Sequence, residues 1–222
     1  MESLIKTLIT VSVITACLLV LFVVGVLIHY LRTRRMVEKL LKHSRRDGLF
    51  VYNLLRTSFP SGRLFRRISL PCRGSDGAIR RVPCDLLLVD RGGIFVIRVI
   101  NMAGSVDNSD RYTWTVRNQN GMTEIPNPFE QNRQSLRAVE DILKSDGVYN
   151  IPRYNLVVFS GKRVGFRHRS DKLLTAEHLI ETIRDMNRNR FLSAGEMAKA
   201  VGAIRRRLPS PQNQGARGTD TP

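Results

Sequence analysis

The side chains that carry most protein chemistry are thinly spread in this sequence. The histidines His29, His43, His168 and His178 stand apart, and none has a second ligand at the spacing a metal site needs. The cysteines Cys17, Cys72 and Cys84 are odd in number and match no zinc pattern, and Cys17 lies inside an apolar run. They give no disulfide framework, which agrees with a reducing compartment. No glycine-rich phosphate loop or nucleophile elbow is present. What stands out is positive charge. Arg153, Lys162, Arg163, Arg167, His168 and Arg169 form a basic stretch with Phe159 and Phe166 among it. Guanidinium and ammonium groups meet phosphates, and aromatic rings stack on bases, so the stretch suits a nucleic-acid contact. The simpler reading is a solvated face on a protein whose formal charge is +17. Arg205, Arg206 and Arg207 fit a helix C-terminus, where cations complement the dipole.

These residues must be held by secondary structure, and the chain of 222 residues is long enough for one membrane anchor and one ordinary domain. A helix is predicted over 46–58, ended by Pro60-Ser61-Gly62. Strands are predicted at 63–70, 80–90 and 94–100, joined by turns at Gly74-Ser75-Asp76-Gly77 and Arg91-Gly92-Gly93. Leu86-Leu87-Leu88-Val89 and Ile94-Phe95-Val96-Ile97 are almost wholly apolar, as expected of strands covered on both faces at the centre of a sheet. The segment 112–117 alternates, Asn118-Gln119-Asn120-Gly121 signals a hairpin, and 122–125 returns. Asn127 caps a helix with Pro128 in its first turn, running to about 144. Short buried strands follow at 156–159 and 173–174, then helices over 175–187 and to 207, the last opened by the capping-box spacing of Ser193 and Glu196. The tail 209–222 has the composition of a disordered segment. The order predicts an α/β sandwich with a mixed central sheet.

From Thr7 to Leu31 there is no Lys, Arg, Asp or Glu. A helix needs roughly 20 apolar residues to cross a bilayer, and this run supplies them. A cleaved signal would have a shorter apolar core and a small-residue cleavage site. Ile14-Thr15-Ala16-Cys17 resembles a lipobox, but the residues after Cys17 stay apolar where a mature lipoprotein turns polar. Lys6 and Glu2 precede the run; Arg32, Arg34, Arg35, Lys39, Lys42, Arg45 and Arg46 follow it, against Glu38 alone. Positive flanks stay cytoplasmic. The expectation is a single-pass protein of the cell membrane, N-terminus outside and C-terminal domain cytoplasmic. Its parts are a short flank 1–6, a transmembrane helix 7–31, a basic juxtamembrane linker 32–45, a domain 46–165, a helical extension 166–208 and the tail. The basic cluster also faces anionic headgroups, each charge contributing about 1 kcal/mol near the surface, although setting the topology is enough to account for it without specific lipid binding.

Several segments, taken in order, carry a resemblance. Cys84-Asp85-Leu86-Leu87-Leu88-Val89-Asp90-Arg91-Gly92-Gly93-Ile94-Phe95-Val96-Ile97-Arg98-Val99-Ile100-Asn101, then Gly104-Ser105-Val106, Trp114 and Asn127-Pro128-Phe129-Glu130-Gln131, resemble the NERD (nuclease-related) domain over about 46–165. That family is related to the PD-(D/E)XK nucleases and has membrane-tethered bacterial members. The resemblance implies a restriction-endonuclease-like fold. It also implies an Asp on the second strand and a Glu-x-Lys on the third, where carboxylates hold Mg²⁺ and metal and Lys together activate water. The family's Asp falls on Asp85, its Glu on Arg98 and its Lys on Ile100. The Glu of a Gly-Glu pair on the first helix falls near Asp47-Gly48 and is missing, while the helix Gln is kept as Gln131.

Arg98 puts a cation where a divalent ion should sit. Two unit charges about 4 Å apart interact by roughly 4 kcal/mol at an effective dielectric of 20, and the ion carries two. An ion pair of Arg98 with Asp85, closing the site, is expected. The resemblance therefore points to a catalytically impaired, membrane-tethered nuclease-like domain that binds nucleic acid or a protein partner and needs no cofactor. The first alternative is an active nuclease whose metal ligand has moved to Glu130, Glu140, Asp90 or Glu124, the one reading that requires Mg²⁺. The second is a structural membrane-associated module.

Overall fold

The computed structural model describes residues 48–74, 76–188 and 192–208. The predicted membrane anchor 7–31, its flanks, residues 46–47 and the tail 209–222 lie outside the described residues. Among the described residues no helix is long and apolar enough to cross a membrane.

The chain begins with α1 (Leu49–Ser58), followed by the antiparallel strands β1 (Arg63–Arg73), β2 (Ile79–Asp90) and β3 (Gly93–Ile100). Three short strands come next: β4 (Gly104–Asp107), β5 (Thr113–Asn118) and β6 (Gly121–Pro126). Helix α2 (Pro128–Ser145) leads to β7 (Arg153–Phe159), β8 (Val164–Phe166) and β9 (Leu173–Thr175), and α3 (Ala176–Arg188) and α4 (Ala194–Arg207) complete the order. The main sheet runs β1-β2-β3-β7-β9, antiparallel at β1-β2-β3 and parallel at β3-β7-β9.

The two apolar runs face each other at the centre of this sheet, Leu86 opposite Ile97 and Val89 opposite Ile94, and every residue of both is buried. On one face Leu87, Val89, Ile94 and Val96 join a core with Ala138, Val139, Ile142 and Leu143 of α2 and Val201 and Ile204 of α4. The alternate residues Leu86, Leu88, Phe95 and Ile97 are equally buried, so the sheet is covered on both sides. Helix α1 touches β1 and α3 and buries Phe50, Val51, Leu54 and Leu55. Burial of each such side chain is worth roughly 1.5–3 kcal/mol, which makes this double-sided layer the main source of stability.

The helix ends follow local rules. Asn127 accepts the Phe129 N–H with Pro128 at the first position of α2, and Ser193 and Glu196 form a reciprocal capping box on α4. The structure departs from the expected single sheet. The hairpin β5-β6 pairs with β4, making a second, four-stranded sheet in the order β6-β5-β4-β8. The reason lies at Gly104, whose φ of 118° turns the chain out of β3 and whose missing Cβ leaves room for the Arg117 carbonyl. The small sheet closes on the main one through Val106, Trp114 and Val116 against Val157, Phe159 and Leu173.

Candidate functional site

Antiparallel pairing of β2 with β3 sets the site. The register that puts Leu86 opposite Ile97 brings Asp85 beside Arg98, where both strands leave the buried layer. Arg98 Nη1 donates to Asp85 Oδ1 at 3.2 Å, and the Val99 backbone N–H donates to Asp85 Oδ2 at 3.0 Å. Both side chains are half-buried, at 31% exposure for Asp85 and 27% for Arg98. A cavity of about 240 Å³ opens beside the pair, lined by Gly48, Arg66, Arg67, Asp85, Leu86, Val99 and Asn101. Arg66 lies over the Tyr52 ring, 5.4 Å from its centroid. Arg67 falls between the pairs Arg66–Leu86 and Ile68–Cys84, so it stands opposite Asp85. Its φ of 49° is left-handed within a strand, a local strain of roughly 1–3 kcal/mol that the flanking pairs sustain.

The result is a small hollow lined by two arginines and one carboxylate, and that carboxylate is also bonded by Arg98. Planar guanidinium forks match phosphate oxygens. They do not suit a divalent cation, which requires several oxygen ligands. Among the described residues no group of three or more His, Cys, Asp and Glu side chains is placed to hold a metal. The residues around Asp85 therefore do not fit Mg²⁺: one of its oxygens already accepts from a guanidinium and the other from a backbone N–H.

The family model of the nuclease-related domain, NERD, matches residues 32–160. The chain belongs to the NERD family. Neither the curated proteins nor the solved structures yield a match. Within the described part of the NERD match lie α1, β1 to β6, α2 and β7.

The other residues singled out in the sequence scatter around this centre. Ile100, two positions beyond Arg98, packs on the apolar cluster of Val106, Trp114 and Phe159 and lies outside the cavity lining. Gln131 is exposed on the first turn of α2 and lines a different groove with Tyr112, Asn127, Arg133 and Arg137. The inward amide of that NERD helix is its neighbour: Asn132 is buried and its Nδ2 donates to the Val96 carbonyl at 2.8 Å and to Asn155 Oδ1 at 2.7 Å. Sequence reasoning missed Asn132, although it shares a helical stripe with Ser135, Val139 and Ile142, all buried.

None of the proposed substitute carboxylates lines the Asp85 cavity. Glu130 pairs with Arg133, Glu140 with Lys144, and Glu124 is exposed on the small sheet. Asp90 is buried at the far end of β2, about 17 Å along the strand, and accepts from Asn187 Nδ2.

The basic stretch also divides. Lys162, Arg163 and Arg169 are exposed. Arg167 pairs with Asp107 at 2.7 Å. The Ser109 hydroxyl and then Arg167 donate to that carboxylate and hold it at about 2. The aromatic part of the expectation is corrected: Phe159 is fully buried and meets Phe166 edge to face at 5.4 Å, so it serves the core rather than base stacking. Arg153 sits at the opposite end of β7, near Glu140.

Two outcomes follow from this packing. Asp85→Ala leaves a half-buried guanidinium and the Val99 N–H without their acceptor. Discounted for partial exposure, the loss is about 1–2 kcal/mol, a fall in Tm of roughly 2–8 °C; an unchanged Tm would contradict the pairing. Next to it, burial first and the Asp85 charge second push the Cys84 thiol from 9.0 up to about 12. A thiol whose folded value is raised favours the fold below its unfolded value and loses that contribution as pH climbs through the folded one. Stability should therefore decline between pH 9 and 12, and Cys84→Ala should make that decline shallower in urea titrations.

Proposed function

We propose that this NERD protein is a membrane-anchored, phosphate-binding module with a degenerate nuclease site, holding nucleic acid without cutting it. The observation that carries the reading is the guanidinium of Arg98 bonded to Asp85, beside a hollow that Asp85, Arg66 and Arg67 line. In this reading the domain descends from the PD-(D/E)XK, restriction-endonuclease-like scaffold. Asp85 is its surviving acid, and Arg98 and Ile100 replace the ligand and the lysine. Gln131 belongs to the same inherited pattern, turned here to the surface. No metal is required.

The position of the hollow supports this. It lies at the carboxyl end of β3, and β7 runs parallel to β3, so the chain leaving β7 emerges beside it. Ser160 there donates its N–H to the Ile100 carbonyl at 2.9 Å. Ligands of open α/β sheets gather at such strand ends. Lys162, Arg163 and Arg169 follow within the next residues and extend the cationic surface for a phosphate backbone, with Arg167 beside them anchored on Asp107. The anchor 7–31 and the basic linker 32–45 would hold this surface at the cytoplasmic face of the cell membrane, with the extension 166–208 as part of the domain.

The test uses the full chain in detergent with single-stranded DNA and RNA, with Mg²⁺, with Mn²⁺ and with chelator. The expected result is binding without cleavage, unaffected by chelator and weakened steeply by salt. Arg66→Gln combined with Arg98→Gln should weaken it about tenfold or more. Metal-dependent cleavage abolished by Asp85→Ala would overturn the reading in favour of a working nuclease. Absence of binding at low salt would overturn it in favour of a structural or protein-binding module.

A further inference from the structure

A second hollow lies away from the Asp85 pair, along α4. It encloses about 560 Å³, in the range of small-molecule sites. Its floor is aliphatic and thioether surface from Leu192, Met197 and Val201. Ala198 and Gly202 are too small to fill the space, and among the described residues no acidic side chain lines it. From Ala194 to Arg205 the lining follows α4 for about 16 Å, so the hollow is an elongated groove.

Three arginines border this groove. Arg63 opens β1, Arg91 sits in the turn between β2 and β3, and Arg205 lies in the last turn of α4. All three are exposed, and none makes an ion pair or side-chain hydrogen bond among the described residues. The contrast with the neighbouring Arg206, which pairs with Asp146, is direct. Arg63 and Arg91 belong to one end of the groove: Arg63 pairs with Val89 in the β1-β2 register, and the Leu192 N–H donates to the Arg91 carbonyl.

An apolar trough with uncompensated guanidinium groups at its border is complementary to one kind of molecule, an anion with an aliphatic tail. We propose that the α4 groove binds the acyl chain of an anionic single-chain lipid, its carboxylate or phosphate held by Arg63 and Arg91. The aliphatic floor buries the chain, as removal of apolar surface from water requires. The guanidinium groups select the charged head over a neutral one by charge-assisted hydrogen bonds. Two arginines at one end of an elongated apolar trough match one charged head on a single aliphatic tail.

Photolabelling of the full chain in non-ionic detergent tests this, with two diazirine probes of equal chain length, one a fatty acid and the other the corresponding alcohol. The fatty acid should label the peptide 192–205 about tenfold more than the alcohol does, as expected for charge-assisted bonds to the head. Arg63→Gln with Arg91→Gln should erase that preference. Ala198→Phe, an exposed position on α4, should fill the groove and abolish labelling there while Tm and the far-ultraviolet spectrum stay those of the folded protein. Equal labelling by the two probes would overturn the proposal. So would labelling confined to residues 7–31, or crosslinking of α4 to an acidic amphipathic peptide when neither lipid probe reacts.

Discussion

A carboxylate that accepts from a guanidinium and from a backbone N–H is committed, and at Asp85 this commitment organises the site. The Val99 N–H fixes one oxygen to β3, and Arg98 fixes the other. Both donors belong to the strand that pairs with β2, so the interaction locks the place where the two central strands leave the buried layer. A metal ion there would have to displace one of these donors and tolerate the positive charge of Arg98 close by. At close range that repulsion is roughly 4 kcal/mol per unit of charge on the ion. In the proposed function the group that would repel a cation would attract an anion, and Arg66 and Arg67 on β1 line the hollow beside it.

The surrounding fold keeps this site apart from the main source of stability. The main sheet is buried on both faces around Leu86 to Val89 and Ile94 to Ile97, and that layer, more than the polar rim, supplies its stability. Chemistry at the strand ends can change while the hydrophobic layer stays. The left-handed Arg67 opposite Asp85 illustrates the point, since regular pairs on either side hold the strained residue in place. The small sheet contributes by covering Phe159 and Ile100, which closes the core just behind the site.

Much of the architecture was legible in the sequence because it depends on local patterns. Two short apolar runs separated by a glycine turn fit neighbouring buried strands, Asn-Pro marks a helix start, and the Ser193–Glu196 spacing caps another. The proximity of Asp85 to Arg98 was legible too, because hairpin register is set by the turn between them. Features that depend on tertiary pairing were not. Gly104 as the exit into a second sheet, the burial of Phe159, and the choice of Asn132 over Gln131 as the inward amide all depend on partners far along the chain. The α4 groove is of this kind as well, since it arises where a helix with small residues crosses a strand start and a turn.

In the proposed reading the Arg98 guanidinium, bonded to Asp85, keeps divalent cations away from that carboxylate. Anomalous scattering from a crystal of the protein soaked in Mn²⁺ tests it most directly. The prediction is no peak beside Asp85, with the Arg98 guanidinium in contact with the carboxylate. A manganese ion coordinated by Asp85, with Arg98 swung away, would contradict it.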